Sequence, residues 1–258
     1  MEKRTAWVDY ARAIGIVLVV YGHVARGLFN AGIPVPQPAY TLADSVVYSF
    51  HMPLFFFLSG LFFLESLKKR GGRQLILSKV DTIVYPYVLW SIVQGSVEAA
   101  LSKFTNGKVT WGEVLAFPWA PRAQFWFLYA LLLIFVLATI LFSVLPKRSA
   151  VVLFVMAAIL YVAGTQLPRN VILEFVTQNF VYFLFGVVFY ERLMAFDFSS
   201  KTVVLAAVAA FVVVQVAFHG VLGLNYSNRV SLRLSWRWCR FWRSWRLRTE
   251  FRRTGFRS

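Results

Sequence analysis

Cysteine is almost missing from this chain. The one thiol, Cys239, excludes an internal disulfide and any cysteine-rich metal site. Charge is scarce as well: 15% of the residues are charged, against 59% hydrophobic and 18% aromatic. A soluble domain does not carry that balance, whereas a polytopic membrane protein does. Acids are the rarer sign, 11 against 27 Lys and Arg, for a formal net charge of +16. The distribution of that charge argues against a nucleic-acid partner. Ten Arg and one acid, Glu250, fall from Arg229 onward, and much of the remaining excess follows from the bias of basic residues towards one side of a membrane. A phosphate-cradling glycine loop, a zinc-ligand spacing, a serine–histidine–aspartate set and an internal repeat are also missing.

Long apolar runs dominate what is present. They predict helices over 11–29, 45–64, 81–101, 124–145, 149–166, 175–191 and 202–222, each near the roughly 20 residues that cross about 30 Å of hydrocarbon. The expected fold is all-α, a polytopic transmembrane bundle of about seven spans over residues 1–228. The first four residues are too few and too mixed for a secretory signal, so the first span reads as a retained helix. An N-terminus on the cytoplasmic side puts Lys3, Arg4, Lys68, Lys69, Arg70, Arg73, Lys79, Lys147, Arg148, Arg192 and Lys201 inside. Only Arg26, Lys103, Lys108, Arg122 and Arg169 are then outside. Eleven against five sets the expected orientation, in the inner membrane of the cell. The segment 30–44, with Pro34, Pro36 and Pro38, is expected to be an extended outer loop. A second outer loop, 103–122, carries Trp111 and Trp119 for the interface. Gly71 and Gly72 break the inner loop between the second and third spans.

The first span carries ionisable groups: Asp9, Arg12 and His23. Arg12 and His23 are eleven residues apart, about three turns plus 20°, so they share one face about 16 Å apart along the axis. Groups of this kind inside a span are costly unless they face protein or a wet cavity, and they mark function by default. Against that stands a plainer arrangement, with Asp9 and Arg12 snorkelling to the headgroups and His23 packed through a hydrogen bond. His51 enters the second span from the other side, and helix rise places it within a few ångström of the depth of His23. Pro53 implies a kink or a late helix start there, which would free backbone groups to line a cavity. His51 is also compatible with a structural histidine bonded to a neighbouring carbonyl. Asp9 stands at i,i+3 from Arg12, a spacing that suits an ion pair. Ser59 before Gly60 reads as a helix-packing pair rather than a nucleophile. His219 is expected at an interface, and Trp126 and Tyr129 among bundle or interface aromatics, with sugar stacking as their other reading.

The order Asp9, Arg12, apolar run, His23 resembles the opening of the membrane acyltransferase 3 family, integral-membrane O-acyltransferases that modify carbohydrates. Phe55-Phe56-Phe57-Leu58-Ser59-Gly60 and Phe125-Trp126-Phe127-Leu128-Tyr129 resemble two later signatures of that family. Tyr48-Ser49-Phe50-His51-Met52-Pro53-Leu54 is similar to its branch related to fucose 4-O-acetylases. The likeness covers roughly residues 4–222. It implies transfer of an acetyl or short acyl group from acetyl-coenzyme A, or another acyl-coenzyme A, to a carbohydrate hydroxyl. The donor is then a substrate, and no resident cofactor or metal is implied. A hydroxyl attacks a thioester poorly until a base takes its proton, and a histidine suits that task near neutrality. His23 is the expected base and His51 its partner, with Arg12 near the donor phosphates or orienting the site and Asp9 holding Arg12. The polyanionic donor also needs cations on the inner side, for which Arg70, Arg73 and Lys79 are the candidates beside Lys68 and Lys69. One departure stands out. Many members carry paired arginines shortly before a proline in the third helix, and here the run Lys79-Val80-Asp81-Thr82-Ile83-Val84-Tyr85-Pro86 has only Lys79. A rival reading from another class is a proton-coupled transporter or flippase, which also wants intramembrane His, Arg and Asp, and a third is an inactive or regulatory fragment.

The segment 229–258 differs in texture from the rest. It holds ten Arg, no Lys, and Trp236, Trp238, Trp242 and Trp245 among Ser and Arg. GC-rich codons read in a shifted frame give this enrichment, and the family members compared continue with further helices, so residues 1–228 are expected to be an incomplete domain followed by out-of-frame or disordered sequence. A basic amphipathic arm on anionic lipid is the alternative.

Overall fold

The computed structural model describes residues 6–104, 109–164, 170–196 and 200–226, and the regular elements within them are all helical. The Arg- and Trp-rich segment 229–258 lies outside the described residues. In chain order the elements are α1 (Ala6–Asn30), α2 (Gln37–Leu61), α3 (Phe63–Lys79), α4 (Tyr85–Ala100), α5 (Trp111–Leu115), α6 (Trp126–Val144), α7 (Ala150–Ala163), α8 (Val171–Ala195) and α9 (Lys201–Val216). π-Helical turns at Val80–Val84 and Ala217–Val221 join α3 to α4 and extend α9. Among the described residues six stretches are long and apolar enough to cross a membrane, and the chain is an integral membrane protein.

Three expectations change. The first concerns the bounds of the fifth expected span, 149–166: among the described residues its helix α7 has 14 residues, and it runs antiparallel to α8, with Lys147 bonded to Glu191 at one end and Tyr161 to Tyr182 towards the other. The second concerns 30–44, expected to be extended, where α2 already begins at Gln37. Pro38 falls in the first helical turn, where a missing N–H breaks no helical bond, and its fixed φ suits a helix start. Pro53 likewise gives no late start, since α2 runs through it to Leu61. The third concerns the inner loop, which is largely helical. Gly71 interrupts α3 with φ 74° and ψ 161°, a backbone conformation open to glycine and strained for other residues. Beyond it the chain runs back along α6. A Cβ on Gly72 would lie 3.1 Å from Thr139 Cγ2 and 3.2 Å from Ser143 Oγ, and Tyr87, further along, reaches the Tyr129 ring at 5.7 Å.

The described residues divide into two units, a larger one within 6–35 and 50–196 and a smaller one of 36–49 with 200–226. In the larger unit, α3, α6 and α8 enclose a phenylalanine core. Phe63 is 1% exposed and meets Phe135, Phe142 and Phe183 at centroid distances of 6.1, 5.8 and 5.2 Å. In lipid the gain from such a core is close packing, since acyl chains are as apolar as the side chains they would replace. Trp126 stacks on Phe175 at 5.7 Å, which places the Phe125–Tyr129 stretch within the bundle packing. A second cluster buries Val8 of α1 against Leu58 and Leu61 of α2, with Leu193 and Met194 of α8 around it. Backbone approach is closest between α2 and α8. A Cβ on Gly60 would fall on the Phe183 carbonyl, and one on Gly186 on the Phe57 carbonyl.

Short polar contacts tie the 109–125 segment to α4. Thr110 and Glu113 form a capping box at the start of α5: the Thr110 hydroxyl accepts the Glu113 N–H at 3.3 Å, and the Glu113 carboxylate accepts the Thr110 N–H at 2.8 Å. Arg122 donates to Glu98 at 2.8 Å, with both side chains about three-quarters covered. Gln94 donates to the other Glu98 oxygen at 2.7 Å, and Gln124 donates to Gln94 at 2.5 Å. Arg122→Ala removes one partner and leaves the half-buried carboxylate short of a donor. The expected loss is roughly 1–3 kcal/mol of stability, read as a lower melting temperature in detergent, with Glu98→Gln/Arg122→Ala together losing less than the two single variants summed.

Candidate functional site

The first helix shows how its ionisable stripe is placed. Its buried residues are Val8, Gly15 and Gly22, seven apart and therefore one ridge. At about 100° per residue, Arg12 and His23 stand roughly 60° and 80° round from Gly15, on the flank of the packed ridge. The reason for the ridge is steric. A Cβ on Gly15 would lie 2.8 Å from the ring of Phe55, so α1 and α2 approach closely at that level. Both Arg12 and His23 are exposed. Asp9 and Arg12 form the i,i+3 ion pair at 3.7 Å, with about half of each side chain exposed. A pair that open contributes little stability in water.

His51 lies one turn before Phe55 on α2, on the face that meets α1, and is 2% exposed. Taking Gly15 and Phe55 as level, His51 stands about 6 Å and His23 about 12 Å beyond that level in the same direction. The two histidines are thus about 6 Å apart along the axis, on adjacent antiparallel helices. The arrangement pairs one open imidazole with one enclosed imidazole, and leaves the open Arg12 guanidinium about three turns nearer the start of α1. An open imidazole on such a flank can take and return a proton, and an enclosed one is held in orientation by its surroundings.

The five candidate donor cations do not form one group. Lys68, Lys69, Arg70 and Arg73 are exposed around the Gly71 break. Lys79 instead lies half-buried against α6, its ammonium 4.0 Å from the centre of the Phe135 ring, a cation–π contact halfway along that helix. The π-helical turn Val80–Val84 begins at the next residue, a feature frequent at functional sites. Among the described residues no cluster of three or more His, Cys, Asp and Glu is placed to hold a metal ion.

His219 is where the outcome departs furthest from expectation. It was expected at an interface, yet both its ring nitrogens are buried and lack hydrogen-bond partners, as is the Gln215 carbonyl oxygen one turn earlier. The i,i+4 pairing of Gln215 with His219 is visible in the sequence, but a polar pair in an apolar span signals only that something faces it. What faces it is the first half of α2, a long-range neighbour that no local pattern identifies.

The family model described as an acyltransferase domain, of acyltransferase type 3, matches residues 5–249. The chain is also similar to the nodulation protein NolL of Mesorhizobium japonicum, with 25% identity over 142 residues. That alignment covers 54% of this chain and 36% of the relative, so the chain matches little over a third of the length of that protein. No solved structure matches the chain.

Proposed function

Because the chain belongs to the membrane acyltransferase 3 family, we propose that it is an O-acyltransferase moving an acetyl or short acyl group from acyl-coenzyme A to a carbohydrate hydroxyl. The observation that carries this reading is the histidine pair: His23 open on the flank of α1, and His51 enclosed on the facing side of α2 about 6 Å away along the axis. In the proposed reaction His23 removes the proton of the attacking hydroxyl as its oxygen bonds to the thioester carbon. The tetrahedral oxyanion needs a nearby hydrogen-bond donor, a role we give to His51. The carbon–sulfur bond then breaks, and the coenzyme leaves as a thiol with the proton held by His23. Arg12, about 16 Å nearer the start of α1, is distant enough to hold the donor phosphates while the acyl end reaches His23. Asp9, paired with Arg12 at 3.7 Å, orients it. Lys68, Lys69, Arg70 and Arg73 attract the polyanionic donor, and Lys79 supports it from within the bundle.

Acyl-coenzyme A is cytosolic, so this reading needs 68–73 inside, with Lys79 within the span that follows, and 103–122 outside, in the inner membrane. Single cysteines Arg70→Cys and Lys103→Cys, each in a Cys239→Ser background, test that orientation. An impermeant maleimide is expected to label position 103 but not 70 in intact cells, and the reverse pattern contradicts it. The activity itself is tested by incubating membranes with acetyl-coenzyme A labelled in the acetyl group. Label is expected in extractable carbohydrate. Uptake of a solute with no transfer of label would favour the transporter instead.

A further inference from the structure

The segment between α4 and α6 is built as a shelf at the edge of the membrane. Its level can be read from the helices on either side. α6 has 19 residues, about 28 Å, so its two ends mark the edges of about 30 Å of hydrocarbon. Gln124 donates to Gln94 at 2.5 Å, which sets the start of α6 near the level of Gln94. From there α4 continues to Ala100, about 9 Å past that edge. Residues 110–120 pack against α4 in this corner. Val114 is 2% exposed, and a Cβ on Gly95 would lie 3.0 Å from Val114 Cγ1. Three residues later the Phe117 carbonyl accepts from the Tyr87 hydroxyl, and the Phe117 and Tyr87 rings are 5.9 Å apart. Tyr87 also meets the ring of Tyr129 in the first turn of α6 at 5.7 Å, so Phe117 reaches a level just inside the edge. The backbone is satisfied from within. The Val114 and Ala116 N–H groups donate to the Thr110 and Gly112 carbonyls at 3.1 Å, and the Ala120 N–H to the Ala116 carbonyl at 2.8 Å. A segment at this depth needs such bonds, because water is scarce there.

Three large apolar side chains of the segment face away from the protein. Trp111, Leu115 and Trp119 follow one another at i, i+4 and i+8 and are 57, 67 and 70% exposed. At about 100° per residue they stand roughly 60°, 100° and 140° round from Val114, on one flank. Glu113 stands about 100° round the other way, where its carboxylate accepts the Thr110 N–H. The segment therefore has one side on α4, one apolar flank and one polar flank. An element with these sides at a bilayer edge lies in the membrane plane with its apolar flank in the lipid. The chemistry of that flank suits the boundary between headgroups and acyl chains. An indole ring buries an apolar body among methylenes and offers its N–H to the ester and headgroup oxygens above. Headgroup charge has little to act on. Lys103 and Glu113, one of each sign, are exposed, and Arg122 is held by Glu98 at 2.8 Å.

We propose that residues 110–120 are a lipid-docking surface, with Trp111, Leu115 and Trp119 set into the headgroup–acyl boundary of the leaflet opposite 68–73, in phospholipid of any headgroup charge. The segment enters and leaves on one side, so the order of the spans is unchanged, and the surface stands independently of acyl transfer. Its test uses the full chain in phosphatidylcholine nanodiscs. Single cysteines Leu115→Cys, Trp119→Cys, Glu113→Cys and Lys103→Cys, each in a Cys239→Ser background, carry a nitroxide label. Collisions are measured with oxygen, which concentrates in lipid, and with a neutral nickel chelate, which stays in water. The oxygen-to-nickel ratio at 115 and 119 is expected to exceed that at 103 at least about fivefold, with 113 close to 103. Replacing a third of the lipid by phosphatidylglycerol is expected to leave each ratio within about twofold. A second measurement keeps aromatic rings in place. Phospholipids brominated high on their acyl chains are expected to quench less fluorescence from Trp111→Phe/Trp119→Phe protein than from the parent. Ratios at 115 and 119 equal to that at 103 put the flank in water and overturn the proposal. Few collisions with either reagent mean that protein covers the flank, as a second copy would, and also overturn it. So do high ratios seen only with phosphatidylglycerol, or equal quenching of the two proteins.

Discussion

Gly186→Leu is expected to leave little folded protein in the membrane. The backbone of α8 touches that of α2 at two reciprocal points, Gly186 against the Phe57 carbonyl and Gly60 against the Phe183 carbonyl. A side chain at either glycine has nowhere to go except into a main-chain atom of the other helix, so the helices must separate. Separation would disturb the aromatic contacts on both sides, among them Phe57 with Phe185 at 5.4 Å and Phe63 with Phe183 at 5.2 Å. Overpacking of a core typically costs about 1–3 kcal/mol, occasionally more, and here the obstacle is backbone and cannot swing aside. A loss at or above the top of that range is expected for Gly186→Leu, and Gly60→Leu should behave alike. Gly27→Ala is the control: a Cβ there meets nothing within 4 Å, and the change to a better helix former should be neutral or favourable by up to about 1 kcal/mol. Size-exclusion profiles and melting temperatures of the purified variants check this. A Gly186→Leu protein that melts within a degree or two of the parent would mean that α2 and α8 do not meet at these glycines.

Much of this fold was legible because membrane spans are written in composition. Apolar runs located the six spanning stretches, and Gly60 packs against the α8 backbone as a small residue in a span is expected to. The errors fell where the local chain is ambiguous. A proline-rich stretch before a span reads equally as an extended loop or as a helix start, and Pro38 in the first turn of α2 resolved it the second way. The basic stretch 68–79 reads as loop by polarity, yet it is helical on both sides of Gly71, because polarity reports where a segment lies and says little about its backbone.

The candidate site was legible in part. The Asp9–Arg12 spacing announced the ion pair, and helical periodicity placed Arg12 and His23 on one stripe. The depth match of His23 and His51 was estimated from helix ends, whereas the Gly15–Phe55 approach now anchors it by contact. Lys79 on Phe135 and the unmet nitrogens of His219 were not legible. Each depends on a neighbour far along the chain, and no spacing within a single helix encodes that neighbour.

His23→Ala is expected to lose acyl transfer while keeping its fold. The side chain is exposed on the flank of α1, away from the ridge of Val8, Gly15 and Gly22 that packs, so truncation opens no cavity. Its proposed work is to take the hydroxyl proton, and the loss of a general base typically lowers rate by about 10² to 10⁴. Arg12→Ala should also be damaging, but through donor binding, so raising acyl-coenzyme A ought to restore part of its rate and none of that of His23→Ala. The decisive measurement compares transfer of labelled acetyl from acetyl-coenzyme A to carbohydrate by parent and His23→Ala protein, at matched amounts in membranes. The account predicts labelled carbohydrate from the parent and at least a hundredfold lower rate from His23→Ala. Equal rates from the two proteins would contradict His23 as the base, and no transfer from the intact parent would contradict the acyltransferase reading itself.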